Sequence, residues 1–249
     1  MYKEHKSFLP IEDNQKIWRF IDLAKFCDIL ETQSLFFIKP KYFTDPWEGH
    51  LPKKHFDESS YGDIPRDMMS FSISMAKEKM PNATRNDFAV NCWHINEFES
   101  EALWKKYSDR GIAIQTTFGK LKKSLGGDSN YEEFIGKVNY IDHNNDIVNI
   151  GNMFNHLLWK RKSFEYENEL RAVIWQKADM GGKGCRDFEN VKGQEIKVDL
   201  SLLIENIYTS PFEDGSWFNE VVSKLIKRYS YSFNCYKSHL MDKPCWPNE

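Results

Sequence analysis

Three glutamates, Glu165, Glu167 and Glu169, stand at every second position of Ser163 to Trp175, SFEYENELRAVIW, directly before an apolar run. Paired carboxylates do chemistry in two ways: they stabilise a cation that develops in a transition state, and they take or give a proton. If the segment is a strand, alternation puts Glu167, Glu169, Arg171, Val173 and Trp175 on one face and Leu170, Ala172 and Ile174 on the other. The first face then opens as a charged ledge. Tyr166, Leu170, Val173 and Ile174 also fit helical spacing, so periodicity alone leaves both structures open. The closing Val, Ile and Trp, followed by a polar Gly- and Asp-containing stretch, favour the strand. Taken without any family, Glu167 and Glu169 simply pair with Arg171 and the Lys160–Lys162 run on a solvated face.

Other chemistry-bearing residues are scattered. Arg19, in the string WRF, is turned by strand alternation away from Trp18 and Phe20, and is either a snorkelling surface residue or an anion-binding guanidinium. Trp104 and Tyr107, three apart on a short helix, fit a core better than a pocket wall. His94, Glu97 and Glu99 are candidate metal ligands, yet the seven histidines are dispersed and no HExxH string occurs, so no metal is expected. GGKG at 181–184 lacks the Walker spacing and reads as a turn. The five cysteines, Cys27, Cys92, Cys185, Cys235 and Cys245, never form CxxC and read as reduced thiols. No GxSxG elbow appears, and no Cys-His pair has a recognisable context.

The elements that must position these residues follow from patterning. Residues 16–39 read as a strand (Ile17 to Phe20), a helix capped by Asp22, and a second strand (Leu35 to Ile38). YFTDPWEG is a turn, stopped at Asp45-Pro46 and released at Gly49. Residues 50–87 form a polar excursion, a candidate lid or binding insert. DFAVNCWHI is a strand, SEALWKKYS a helix capped by Ser100, and RGIAIQTTF a strand entered through Gly111. Phe134 to Asp142 reads as one strand. Ile147 to Leu158 has helical spacing, with Lys160-Arg161-Lys162 as its cationic C-terminal end. EIKVDL and LIENIYTS read as strands before the amphipathic helix in DGSWFNEVVSKLIKRY. The absence of a βαβα rhythm predicts an α+β chain, a mixed, split sheet core with flanking helices in a single domain.

Bulk properties exclude several functions. With 249 residues, 41% apolar and 15% aromatic, the composition is globular with an aromatic excess. A net charge of −3 argues against a surface that coats nucleic acid, leaving it as a specific substrate only. No apolar run is long enough to span a bilayer, and the N-terminus lacks a signal-peptide core. A cytoplasmic protein without a membrane partner is expected.

In combination and in order, IWRFIDLAKFCDILETQSLFF, FTDPWEG, NCWHINEFESEALWKKYSDRGIAIQTTF and KRKSFEYENELRAVI resemble the successive motifs of a bacterial family catalogued as domain of unknown function 2971. A more distant likeness is to ADP-ribosyltransferases. There an early strand carries a His or Arg that holds NAD, and a late strand opens on the glutamate that drives the reaction. Asn168-Glu169-Leu170 looks like the late strand of the poly-ADP-ribose polymerase branch, and Glu167 with Glu169 resembles the ExE of arginine-modifying members. Arg19 stands where one branch has His, and SFSIS at 70–74 matches the Ser-Thr-Ser of another only loosely.

The resemblance implies a toxin or phage-defence effector that uses NAD as substrate. Glu169 and Glu167 would be catalytic. Arg19, His94, Trp104 and Tyr107 would hold NAD, and Arg171, Asp45 and Glu48 would lie at the substrate. The acceptor would be nucleic acid or protein, and an antitoxin is a candidate partner. Two rivals stand beside it. One is a non-catalytic ligand-binding or interaction module; the other is a metal-dependent nuclease using Asp45, Glu48 and Glu99.

Overall fold

The computed structural model describes residues 2–5, 8–57, 70, 73–75, 77, 80–126, 131–149, 153–176, 191–213 and 216–244. Residues 58–69, 71, 72, 76, 78 and 79 of the polar excursion, the GGKG turn, Cys185 and Cys245 lie outside them. The first half of the chain gives β1 (Lys16–Asp22), α1 (Leu23–Thr32), β2 (Ser34–Ile38), α2 (Met80–Asp87), β3 (Phe88–Ile95), α3 (Glu101–Tyr107), β4 (Gly111–Thr117) and α4 (Phe118–Ser124). The second half gives β5 (Tyr131–Lys137), β6 (Asn139–Ile141), α5 (Met153–Leu157), β7 (Trp159–Arg161), β8 (Glu169–Gln176), β9 (Gly193–Lys197), α6 (Leu200–Leu203), β10 (Asn206–Thr209), α7 (Trp217–Arg228) and β11 (Asn234–Lys237). Strands and helices are mixed, with parallel and antiparallel pairing and flanking helices. No helix among the described residues is long and apolar enough to cross a membrane.

The chain divides into two compact units, residues 1–10, 36–93 and 126–196 in the first and residues 11–35, 94–125 and 197–249 in the second. In the first unit β8 pairs antiparallel with β5, from Tyr131↔Gln176 to Lys137↔Leu170, and its other edge meets β3. A short parallel pair, β6 with β7, stands apart from that sheet. Its core gathers Phe88, Val90, Phe134, Phe154, Leu157 and Val173, apolar residues drawn from strands and helix alike. Burying such side chains is worth about 1.5–3 kcal/mol each.

In the second unit β1 pairs antiparallel with β4 along its whole length, β4 with β10, and β10 runs parallel to β11. Local chemistry sets the element ends. The Asp22 side chain accepts from Lys25 N–H at 2.8 Å to start α1, and Ser100 accepts from Leu103 N–H to start α3. A Cβ on Gly111 would lie 2.2 Å from the Ile21 carbonyl oxygen, so only glycine lets β4 begin this close to β1.

Several expected elements differ. The Ser163 to Trp175 segment is not one strand: residues Lys162–Glu167 form a 3-10 helix, Asn168 turns left-handed at φ 41°, and β8 begins at Glu169. Lys160 and Arg161 are not at a helix C-terminus, because α5 ends at Leu157 and both residues sit on β7. The strand expected over Phe134 to Asp142 breaks at Val138 into β5 and β6; there Val138 N–H donates to the Glu169 carbonyl at 2.8 Å. Leu200, expected to end one strand, and Leu203, expected to begin the next, instead bound a helical turn, Leu200–Leu203, capped by Asp199.

Candidate functional site

Chemistry-bearing side chains of the first unit converge on Arg171. It projects from β8 on the same face as Glu169, as alternation requires, and is fully buried. Its guanidinium uses every N–H it has. Nε donates to Glu169 Oε1 at 2.8 Å, and Nη2 donates to Glu169 Oε2 at 3.1 Å and Glu48 Oε1 at 2.8 Å. Nη1 donates to Glu48 Oε2 at 3.0 Å and to the Leu157 carbonyl at 2.6 Å. Five donors on five acceptors complete the fork. The guanidinium also sits 5.3 Å from the centre of the Phe43 ring.

Lys160 is the second cation. Strand β7 directs its Nζ to Glu167 Oε2 at 2.6 Å and Glu169 Oε2 at 2.8 Å, with Glu48 Oε1 at 3.8 Å. Glu167 reaches it from the 3-10 helix and Glu169 from β8, so the left-handed Asn168 between them lets both carboxylates turn inward. Three carboxylates thus enclose two cations, and Glu48, Glu167 and Glu169 are at most 3% exposed. The expected charged ledge is instead a buried cluster. The pairing partners foreseen for the glutamates are the ones found, but the solvated face is not.

Electrostatics follow from this closure. Burial pushes the Glu169 carboxyl up, yet the Arg171 and Lys160 cations and the hydrogen bonds from Arg171 and the Cys92 thiol outweigh it. Its pKa therefore falls well below the usual carboxylate range. Burial alone lowers Lys160, but Glu169, Glu48 and Glu167 reverse that and raise it. Cys92 is pushed well up, by burial first and then by Glu169. The Tyr140 hydroxyl accepts from Glu169 N–H at 2.8 Å, and burial raises its pKa. The two cations favour the ionised form of Glu169, and the raised pKa makes Cys92 a poor nucleophile.

The turn at DPWEG supplies Glu48 and a second ion pair. Asp45 accepts from Arg161 Nη2 at 2.8 Å and Nε at 3.2 Å, and also from Trp47 N–H at 3.1 Å, closing the turn on itself. Gly49, at φ 77°, releases the chain as expected.

The remaining expected residues belong to the second unit. Trp104 is fully buried, its indole N–H donating to Glu99 at 2.9 Å and its ring edge-on to Phe20 at 5.0 Å. His94 lies between Phe20, 6.0 Å away, and Tyr107, 5.5 Å away. Trp104 and Phe20 belong to one core cluster, whereas Tyr107 is 37% exposed. Arg19 is half-buried on β1, paired in register with Ile114, while Trp18 and Phe20 on either side enter the core.

No protein-family model, curated protein or solved structure matches this chain. The likeness to the uncharacterised bacterial family and to ADP-ribosyltransferases therefore rests on the sequence blocks alone. Among the described residues, no three His, Cys, Asp or Glu side chains are arranged to hold a metal ion. The acidic trio of the nuclease reading is otherwise engaged: Asp45 and Glu48 by arginines, Glu99 by Trp104 and Ser238.

Sequence reasoning missed Cys92, Tyr140 and the central place of Lys160. Tyr140 left no signal. Lys160 left a faint one, two residues after Leu158, at a position where a strand rather than a helix turns it inward.

Proposed function

We propose that the chain is a non-catalytic ligand-binding or interaction module in which the Arg171 cluster is a structural fixture. The observation that carries this reading is the complete engagement of Glu169: Arg171 takes both oxygens, Lys160 shares one, and the residue is 2% exposed. A carboxylate that must grip a ribose hydroxyl needs an acceptor position facing substrate, and transition-state stabilisation comes only from contacts made to the reacting group. Calorimetry against nucleotides and peptides, beside an assay of nicotinamide release from NAD, tests the proposal. Binding without turnover, unchanged in any Glu169→Gln protein that folds, is expected; nicotinamide release abolished by that substitution overturns it.

A second reading, the NAD-dependent ADP-ribosyltransferase-like enzyme, is favoured by a specific convergence. Three of the four motif blocks meet at one cluster: Asp45 and Glu48 from the second, Cys92 from the third, and Lys160, Glu167, Glu169 and Arg171 from the last. Two carboxylates sharing one ammonium are the charge arrangement an oxocarbenium-like ribose would need. On this reading Glu169 grips the ribose and Glu167 addresses a nucleic-acid or protein acceptor once Lys160 has moved aside. Labelled NAD offered with RNA, DNA and protein acceptors decides it, and absence of transfer from folded material removes it.

A further inference from the structure

Four histidines, His50, His55, His143 and His156, gather where residues 45–57 meet the rest of the first unit. Hydrogen-bond chemistry fixes two of them as neutral. His50 Nε2 lies 3.1 Å from Arg85 Nη1, and because a guanidinium only donates, that nitrogen carries the lone pair. His55 Nε2 accepts from Val148 N–H at 2.9 Å, so it too is unprotonated there. His156 is fully buried. Its Nδ1 faces the Gly49 carbonyl at 3.4 Å as the donor, which leaves Nε2 as the lone-pair atom, with no hydrogen-bond partner among the described residues. The His143 ring packs edge-on to Trp47 at 5.3 Å, and its carbonyl accepts from Lys53 N–H at 2.8 Å.

Adding a proton to His50 or His55 sets an N–H against an N–H, and adding one to His156 buries a charge. At His50, His143 and His156 the described ionisable groups do not offset this. Among the described residues, Arg85 faces His50, the histidines His55 and His50 face His156, and at His143 the carboxylate of Asp45 is countered by Arg161. Burial lowers all four imidazoles, His156 to about 4.

The same segment carries Glu48 to Arg171 and Asp45 to Arg161. We propose that residues 45–57 are an acid-released strap: protonation of His50, His55 and His156 detaches the segment, withdraws Glu48 from Arg171 and Asp45 from Arg161, and opens the ion cluster to solvent. The strap goes beyond both functional readings and depends on neither.

Hydrogen–deuterium exchange of the full chain, corrected for intrinsic rates and read by peptide at about pH 7.5 and about pH 5, tests it. Protection over residues 45–57 is expected to fall at least about tenfold at the lower pH and to lie well below that of β5 and β8, which exchange only through wider unfolding. The triple variant His50→Gln/His55→Gln/His156→Leu keeps acceptors for Arg85 and Val148, titrates at none of the three positions, and is expected to hold its protection at both pH values. Equal wild-type protection at the two pH values, protection over residues 45–57 as high as that of β8 at the lower pH, or a variant that responds as the wild type does would each overturn the strap. Should the variant not fold, the wild-type comparison alone decides.

Discussion

A guanidinium with all five N–H groups spent on acceptors inside the protein is held by geometry as much as by charge. Removing it leaves Glu48 and Glu169 buried without their shared cation, which is the costly way to break a buried pair. Arg171→Met, which keeps the apolar stem, is expected to cost about 3–5 kcal/mol. At about 2–4 °C per kcal/mol for a chain of this size, thermal melting should drop by roughly 10 °C. Lys160→Met should cost less, because the Lys160 side chain is 10% exposed and water can take over part of its role. Melting curves showing the two variants equal, or Lys160→Met the worse, would contradict this ranking. Glu169→Gln belongs with Arg171→Met under the structural reading: its first effect is a lower melting temperature, with any functional loss following in proportion to the unfolded fraction.

At the scale of elements, the decisive residue is Asn168. Two glutamates at i and i+2 of a regular strand share a face, yet here one lies on a 3-10 helix and the other on β8, and both still turn inward because Asn168 adopts φ 41° between them. Asn tolerates that region; a β-branched residue does not. Asn168→Gly should be nearly neutral, whereas Asn168→Val should cost about 1–2 kcal/mol, read from urea unfolding midpoints. This turn also explains what the sequence could disclose. Local signals with a capping or turn residue were legible: Asp22 before α1, Ser100 before α3, Gly111 at the start of β4, and the DPWEG turn. Lys160 and Arg161 were misread because Leu157 and Leu158 extend a helical period that α5 does not follow beyond Leu157. The pairing of Glu48 with Arg171, 123 residues apart, leaves no local trace, and neither does the burial that turns an ordinary charge run into a cluster.

For the molecule as a whole, net charge is modest and the pH response depends on a few buried groups rather than on overall repulsion. His156 has its pKa lowered by burial from 6.5 to about 4, so any state that exposes the ring to water binds a proton first as pH falls. A histidine depressed in this way favours the closed fold fully above the unfolded pKa and withdraws that contribution as pH drops through the window from 6.5 to about 4. Glu169 acts lower down. Its folded pKa is depressed, so its stabilisation is complete above the usual carboxylate pKa and is lost only as pH falls below it. Between neutrality and about pH 5 the imidazoles therefore govern, and His156 alone removes about 2 kcal/mol over that span. Urea midpoints of the wild type, followed by tryptophan fluorescence, should fall accordingly between about pH 7.5 and about pH 5. In His156→Leu, which fills the site without titrating, the fall should shrink by that amount. An identical pH dependence in the two proteins would mean that the buried imbalance at His156 does not govern acid stability, and the loss would have to be sought among the carboxylates.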